Sequence, residues 1–141
     1  MSKMTISVKV MCLIEHNKKI LVNKGYDAVK KQTFYRLVGG KVEFGEKMEE
    51  TIKREIKEEL NSGVKSIKFI DAKEEIFTYE GEVGHEANFL FKVVLDNKEL
   101  TKKELIPNPD SEEFPAVWVS IADVLKKKVI LYPSFDYNSV F

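Results

Sequence analysis

The chain has 141 residues, which is enough for one domain with a substantial core. Its 23 basic and 23 acidic residues give a formal net charge of +0, which argues against a protein that binds nucleic acid through its phosphates. The N-terminus is too short and polar for a signal peptide, and no apolar stretch is long enough to span a membrane. We therefore expect a single cytoplasmic domain over residues 1–141, with no nucleic-acid or membrane partner.

Alternating apolar residues predict strands in the first third of the chain. Residues 5–14 and 20–22 are expected to form a hairpin around a polar turn. A polar stretch follows at residues 23–32, and residues 34–38 predict a third strand that ends at a pair of glycines. The only cysteine, Cys12, lies in the first apolar run, where we expect a core residue.

The apolar period becomes helical after the glycine pair. Four apolar residues recur at every fourth position: Met48, Ile52, Ile56 and Leu60. This stripe predicts a helix over residues 47–60. Asn61 tolerates left-handed backbone and is expected to end the helix.

The second half of the chain predicts short strands separated by turns. These strands are expected at residues 67–70, 75–79, 87–95 and 116–119. A hairpin turn is predicted at residues 80–84, a surface loop at residues 96–113, and a short helix at residues 121–127 capped by Ser120. The whole pattern predicts one mixed α/β domain.

Three carboxylates lie close together on the predicted helix. At 100° per residue, Glu55 and Glu59 are about 40° apart, and Glu58 is about 60° to the other side of Glu55. All three can therefore converge on one point, where hard oxygen ligands suit Mg²⁺ or Mn²⁺. Arg54 could hold one carboxylate by a bidentate pair. The charged face of a Glu-rich helix is more often simply exposed to solvent than part of a metal site. The spacing of the residues in this segment distinguishes the two interpretations.

That spacing resembles the Nudix box, the signature of the Nudix hydrolase family. Six positions carry the resemblance: Gly40, Glu46, Arg54, Glu55, Glu58 and Glu59. Asn61 and Ser62 depart from it, because the family usually has Gly and an aliphatic residue there. Val38 stands where a Pro often precedes the glycine pair. These departures affect the path of the loop more than the carboxylates.

The resemblance implies a Nudix α/β/α sandwich with a mixed sheet and a magnesium-dependent hydrolase. Such an enzyme cleaves a phosphoanhydride bond in a nucleotide sugar, ADP-ribose, a dinucleoside polyphosphate or a nucleoside triphosphate. The loops at residues 25–32 and 96–113, which would select among these, carry no motif that we can interpret. The alternative is a catalytically silent Nudix-like module that binds a nucleotide and regulates. Homodimers are common in the family, and residues 130–135 are apolar enough for an interface or for the last piece of core.

The resemblance also implies roles for individual residues. Glu55, Glu58 and Glu59 would bind one to three Mg²⁺ ions, with Mn²⁺ as a substitute and a carbonyl of Gly39 or Gly40 assisting. Glu46 would stabilise the loop or the start of the helix rather than bind metal.

Outside the box, Glu86 is the first choice for the general base, and Glu112 or Glu113 is the second. Arg36 is a candidate contact for a phosphate or a carboxylate. His85 could contact substrate or metal, but a lone His at the start of a strand is more often incidental. Three aromatic residues flank the box and either stack on a base or pack in the core: Phe34, Tyr35 and Phe44.

Overall fold

A computed structural model describes residues 4–109 and 111–141, with the side chains of all of these except residues 111–113. Nine strands lie in this described part: β1 Ser7–Leu13, β2 Glu15–His16, β3 Lys19–Asp27, β4 Gln32–Lys41, β5 Val64–Tyr79, β6 Glu82–Leu95, β7 Leu105–Asn108, β8 Ser111–Ser120 and β9 Leu131–Tyr132. The helices there are α1 Met48–Leu60, a 3₁₀ helix Lys98–Lys102, α2 Ile121–Leu125 and α3 Tyr137–Val140.

The strands form one mixed sheet in the order β5-β6-β1-β4-β3-β8-β7, with β2 paired to β3 and β9 to β4. Strand β1 runs parallel to β6 and antiparallel to β4, so that Cys12 lies between Phe91 and Val38. The other parallel pair is β4 with β9. Strand β4, at the centre of this order, pairs with β1 on one side and with β3 on the other and so joins the two halves of the sheet.

The core lies on both faces of this sheet. Side chains alternate along a strand, so Val10 and Cys12 face one way and Met11 faces the other. Val10 and Cys12 pack with Ile52 and Ile56 of α1. On the opposite face, Met11 packs in a cluster that includes residues of α2 and α3. The result is a three-layer α/β/α arrangement, and the prediction of Cys12 as a core residue is confirmed.

The long helix forms as the sequence predicts. It begins at Met48, after Lys47, whose backbone N–H donates to Glu50 Oε1 over 3.0 Å. It ends at Asn61, which has left-handed backbone (φ 50, ψ 47) and donates its N–H to the carbonyl of Lys57. Asparagine adopts this conformation more readily than most residues, so the helix ends without the usual glycine.

The two strands expected at residues 67–70 and 75–79 are one strand, β5, so that prediction is wrong. Its antiparallel pairing with β6 shifts register between Phe69 and Asp71 and then continues. The charged residues between the two apolar runs do not interrupt it, because β5 is an edge strand where side chains reach solvent. The hairpin turn that follows is confirmed at Glu80 and Gly81, both with positive φ.

The surface loop expected at residues 96–113 is also wrong, since it contains the 3₁₀ helix, β7 and the beginning of β8. Leu100 and Ile106 are buried in the core under this segment. Pro107 is tolerated because β7 lies at the edge of the sheet, where a missing N–H breaks no central ladder. Burial of a few apolar side chains gives structure to a segment whose composition is mostly polar.

The other differences lie at the ends of predicted elements. Strand β3 extends to Asp27, into the polar stretch, and its hairpin partner is β2 instead of β1. Ser120 precedes α2, but its side chain makes no capping hydrogen bond. Within residues 130–135, Leu131 and Phe135 pack in the core, which favours the core interpretation of that run. No helix in the described ranges is long and apolar enough to cross a membrane.

Truncating the buried stripe of α1 tests the packing of this layer. Ile56 has no exposed surface, so Ile56→Ala should lower the free energy of unfolding by about 2–5 kcal/mol. The exposed Lys53 on the same helix is the control, and Lys53→Ala should change it by less than about 0.5 kcal/mol. Urea unfolding measures both, and equal effects would contradict the packing described.

Candidate active site

The guanidinium of Arg54 joins the loop before α1 to the helix itself. Its Nε and Nη2 donate to the two carboxylate oxygens of Glu46 over 2.8 and 3.0 Å. Its Nη1 donates to Glu55 Oε1 over 2.8 Å, and Nη2 also reaches the carbonyl of Lys41. The bidentate pair of Arg54 is made with Glu46 and not, as expected from the sequence, with one of the three clustered carboxylates, and a single further bond fixes the direction of Glu55.

Glu46 ties the loop to the first turns of the helix. Its Oε1 accepts hydrogen bonds from Thr51 Oγ1 over 2.6 Å and from the N–H of Glu43 over 3.2 Å. The hydrogen bonds from Arg54 and then from Thr51 lower the pKa of Glu46 from 4.5 to about 2. These contacts agree with the predicted role of Glu46 as a residue that stabilises the loop and the helix start.

Glu55 and Glu59 lie one turn apart on α1, close enough for Glu59 to influence the pKa of Glu55. Burial raises the pKa of Glu55, against the opposing effect of the hydrogen bond from Arg54. Gly40 lies against Glu55, and a Cβ at this position would collide with the Glu55 carboxyl. The glycine therefore makes room for the carboxylate pair beside the backbone of β4.

The third carboxylate of the box is placed differently. Glu58 is half exposed, and its Oε2 lies 3.7 Å from Arg54 Nη1. Among the side chains that the structure describes, in residues 4–109 and 114–141, no three His, Cys, Asp or Glu are already arranged as an ion-binding cluster. The structure thus brings two of the three predicted ligands together, and a metal role for Glu58 stays a prediction.

These residues nevertheless fit a divalent cation. Two carboxyl groups in contact repel each other unless a proton or a cation lies between them. The hard oxygens of Glu55 and Glu59, with the nearby backbone of Gly39 and Gly40, are the ligands that Mg²⁺ and Mn²⁺ prefer. The room left at Gly40 keeps this oxygen set close to the main chain.

A cavity of about 350 Å³ has Glu59 and Gly39 in its wall. Further lining residues are charged, with Lys9, Arg36 and Glu86 among them. Half of the remaining lining residues are apolar or aromatic, and five of these carry rings: Phe34, Phe77, Tyr79, Phe114 and Tyr132. One continuous space therefore joins carboxylates, cations and aromatic rings.

Two cations hold one carboxylate beside this cavity. Arg36 Nη2 donates to both oxygens of Glu86 over 2.8 and 3.1 Å, and Lys9 Nζ lies 2.5 Å from Glu86 Oε2. Burial raises the pKa of Glu86, but the charge of Arg36 and the hydrogen bond from Lys9 outweigh it and leave the pKa lowered. Burial and the neighbouring Arg36 lower the pKa of Lys9. The cluster has one more cationic group than anionic groups.

Comparison with known proteins identifies the family. A sequence profile described as the NUDIX domain matches residues 4–136. The chain belongs to the Nudix family. Its α/β/α sandwich with a mixed sheet is the Nudix fold that the box implied.

Solved structures share this Nudix fold at low identity. A NUDIX hydrolase from Nitrosomonas europaea is 17% identical, with a TM-score of 0.67 over 96% of this chain and 86% of that chain. A MutT NUDIX hydrolase from Burkholderia pseudomallei is 18% identical, with a TM-score of 0.64 over 96% and 95%. A mutator MutT protein from Bacillus halodurans is 21% identical, with a TM-score of 0.63 over 90% and 75%. No curated protein matched the sequence.

The structure accommodates the departures from the Nudix box. Asn61 supplies the left-handed end of α1. Ser62 is buried, and its hydroxyl donates to the carbonyl of Gly63 over 2.7 Å and accepts from the N–H of Asn97 over 3.2 Å. A hydroxyl replaces the aliphatic side chain because these backbone groups satisfy it. Val38 is fully buried in the core.

The remaining predicted residues of this Nudix domain fall on both sides of the sheet. Side chains alternate along β6, so His85 and Glu86 point to opposite faces. His85 Nε2 lies 3.3 Å from Glu74 Oε2. Phe34 is buried in the cavity wall, whereas Phe44 is fully exposed. Tyr35 packs against the core and does not line the cavity.

The side chains of Glu112 and Glu113 lie outside the described residues. Two residues near the charged and polar part of the Nudix cavity were missed by the sequence reasoning: Lys9 and Asp27. Lys9 alternates with apolar residues, as a solvent-facing residue of a strand also does. Asp27 lies in a stretch that looks like a polar loop. Nothing in either local pattern distinguishes them from surface residues.

The pairing of Glu46 with Arg54 should appear in the pH dependence of stability. Because the pKa of Glu46 is lowered from 4.5 to about 2, the stability due to its charge is present above about pH 4.5 and lost as the pH falls to about 2. The stability difference between the wild type and Glu46→Gln should therefore shrink over that range. Urea unfolding at several pH values measures it, and a difference independent of pH would contradict the pairing.

Proposed function

We propose that the protein is a hydrolase that uses a divalent metal to cleave a phosphoanhydride bond in a nucleoside diphosphate derivative. The observation that carries this proposal is the Glu55–Glu59 carboxylate pair: Glu55 lies against Gly40, and Glu59 lines a cavity that also contains cations and aromatic rings. A nucleotide has the matching parts: a diphosphate for the metal and the cations, and a planar base for the aromatic walls. Membership of the Nudix family agrees with this chemistry.

Glu55 and Glu59 would hold Mg²⁺, or Mn²⁺ as its substitute, with Glu58 and the carbonyl of Gly40 as further ligands. When bound, such an ion neutralises charge on phosphoryl oxygens and lowers the pKa of a coordinated water. Arg54 positions this set, because its bond to Glu55 fixes one carboxylate while its two bonds to Glu46 fix the guanidinium. Positioning of this kind supports hydrolysis by in-line attack on phosphorus.

Arg36 and Lys9 would contact the phosphates of the substrate. Glu86 holds both cations in the wall of the cavity, where their N–H groups can meet phosphate oxygens. The same contacts bear on the general base. A carboxylate with a lowered pKa is a weak base, so the geometry favours Glu86 as a residue that positions the cations. Its role as general base stays a prediction.

Hydrolysis of a panel of nucleotides tests the proposal. The panel contains nucleotide sugars, ADP-ribose, dinucleoside polyphosphates and nucleoside triphosphates, each with Mg²⁺ and with EDTA. Glu59→Gln should lower kcat by about 10³-fold, because it removes one charged oxygen from the ion site and keeps the size of the side chain. Release of phosphate or nucleotide is the measurement.

Glu49→Gln is the matched control, since Glu49 is exposed on the first turn of the same helix. It should leave turnover unchanged. Metal-dependent turnover that survives Glu59→Gln would place the metal elsewhere. Tight nucleotide binding without turnover on any member of the panel would instead favour a catalytically silent regulatory module.

A further inference from the structure

Asp27 places a buried carboxylate in the wall of the cavity. Its exposed fraction is 3%, and it lies at the end of β3. Its Oδ1 accepts hydrogen bonds from the N–H groups of Val29 and Lys30 over 2.9 and 3.1 Å. Among the described residues, no hydrogen bond reaches its Oδ2. One oxygen thus holds the turn, and the other is left as an acceptor.

The walls around this carboxylate are aromatic. Phe34 meets Tyr79 and Tyr132 edge to face, with ring centroids 5.7 and 5.9 Å apart. The rings of Phe34 and Phe114 lie directly over Gly25, where a Cβ would collide with both. Aromatic surfaces of this kind pack well against any planar heterocycle, so they do not distinguish bases that differ in the polar groups on their edges. The recognition of that edge has to come from a polar group in the same wall.

The cations of the cavity leave the Asp27 carboxylate available for this task. Arg36 and Lys9 are both engaged with Glu86. Lys30 also lines the cavity, but its side chain is exposed and, within the described ranges, makes no ion pair with Asp27. Because no donor among the described residues reaches Asp27 Oδ2, this oxygen can accept a hydrogen bond from a ligand N–H in the cavity. A ligand that presents a carbonyl oxygen there meets repulsion instead.

We propose that Asp27 is a specificity-determining residue that accepts a hydrogen bond from an amino group on the nucleobase. This inference rests on the proposed function, since it names the substrate class of the same cavity. The preferred substrates are nucleotides whose base has an exocyclic amino group, namely those of guanine, adenine or cytosine. Bases without such an amino group, as in hypoxanthine and uracil nucleotides, are disfavoured.

Matched nucleotide pairs that differ at an amino position test the proposal. They are GTP with ITP, ATP with ITP, and CTP with UTP. In the wild type, kcat/KM should favour the amino-bearing member of at least one pair by about tenfold or more, as expected when a buried polar group loses its partner. Asp27→Asn is the informative variant. It retains an oxygen for the turn amides but replaces the second oxygen with a donor, so the preference should fall below about threefold.

Asp71→Asn is the matched control, because Asp71 is exposed on β5 and lies outside the cavity. It should leave the preference unchanged. Thermal melting of Asp27→Asn reports whether the turn survives. The wild-type preference is itself a test that needs no variant, so poor folding of Asp27→Asn would not leave the proposal untested.

Calorimetry with GMP, IMP, AMP, CMP and UMP separates this proposal from the proposed function. Turnover with no preference in any pair, or a preference retained in a folded Asp27→Asn, overturns the role of Asp27 and leaves the hydrolase intact. Preferential binding of the amino-bearing monophosphates without turnover of any nucleotide overturns the hydrolase and supports the role of Asp27. Neither turnover nor selective binding overturns both.

Discussion

The planar set of N–H groups on Arg54 is the constraint on which the rest of the site depends. Two of its bonds hold Glu46, one holds Glu55, and one reaches the backbone at Lys41. A lysine could not replace it, because one ammonium cannot present a fork in these directions at once. The loop, the end of β4 and the helix are therefore set relative to one another by a single side chain, and the Glu55–Glu59 pair takes its position from them.

The helix and its charges could be predicted from the sequence because they depend on neighbours along the chain. The four-residue period of α1 gives its buried stripe, and Asn61 ends it by its own backbone preference. The carboxylates converge through helical geometry alone, which explains why Glu55 and Glu59 meet as expected. Glu58 is half exposed beside Arg54, a difference of side-chain direction that spacing does not determine.

The cavity could not be predicted, because it is built by residues that only the sheet order brings together. Lys9 meets Glu86 because β1 runs parallel to β6, and Arg36 reaches Glu86 from β4. Asp27 and Phe114 come from strands β3 and β8. The pairing of distant strands is decided by the burial of Leu100, Ile106 and similar residues over the whole domain, which no local pattern records.

A Mn²⁺ titration tests most directly whether the carboxylate pair positioned by Arg54 is a metal site. The electron paramagnetic resonance signal of free Mn²⁺ reports how much of the ion is bound. We expect saturable binding to the wild type and to Glu49→Gln, and binding weaker by about tenfold or more in Glu59→Gln. Melting curves should show that all three proteins are folded. Equal Mn²⁺ affinity in the wild type and Glu59→Gln, or no saturable binding to the wild type, would show that the carboxylate pair is not the metal site.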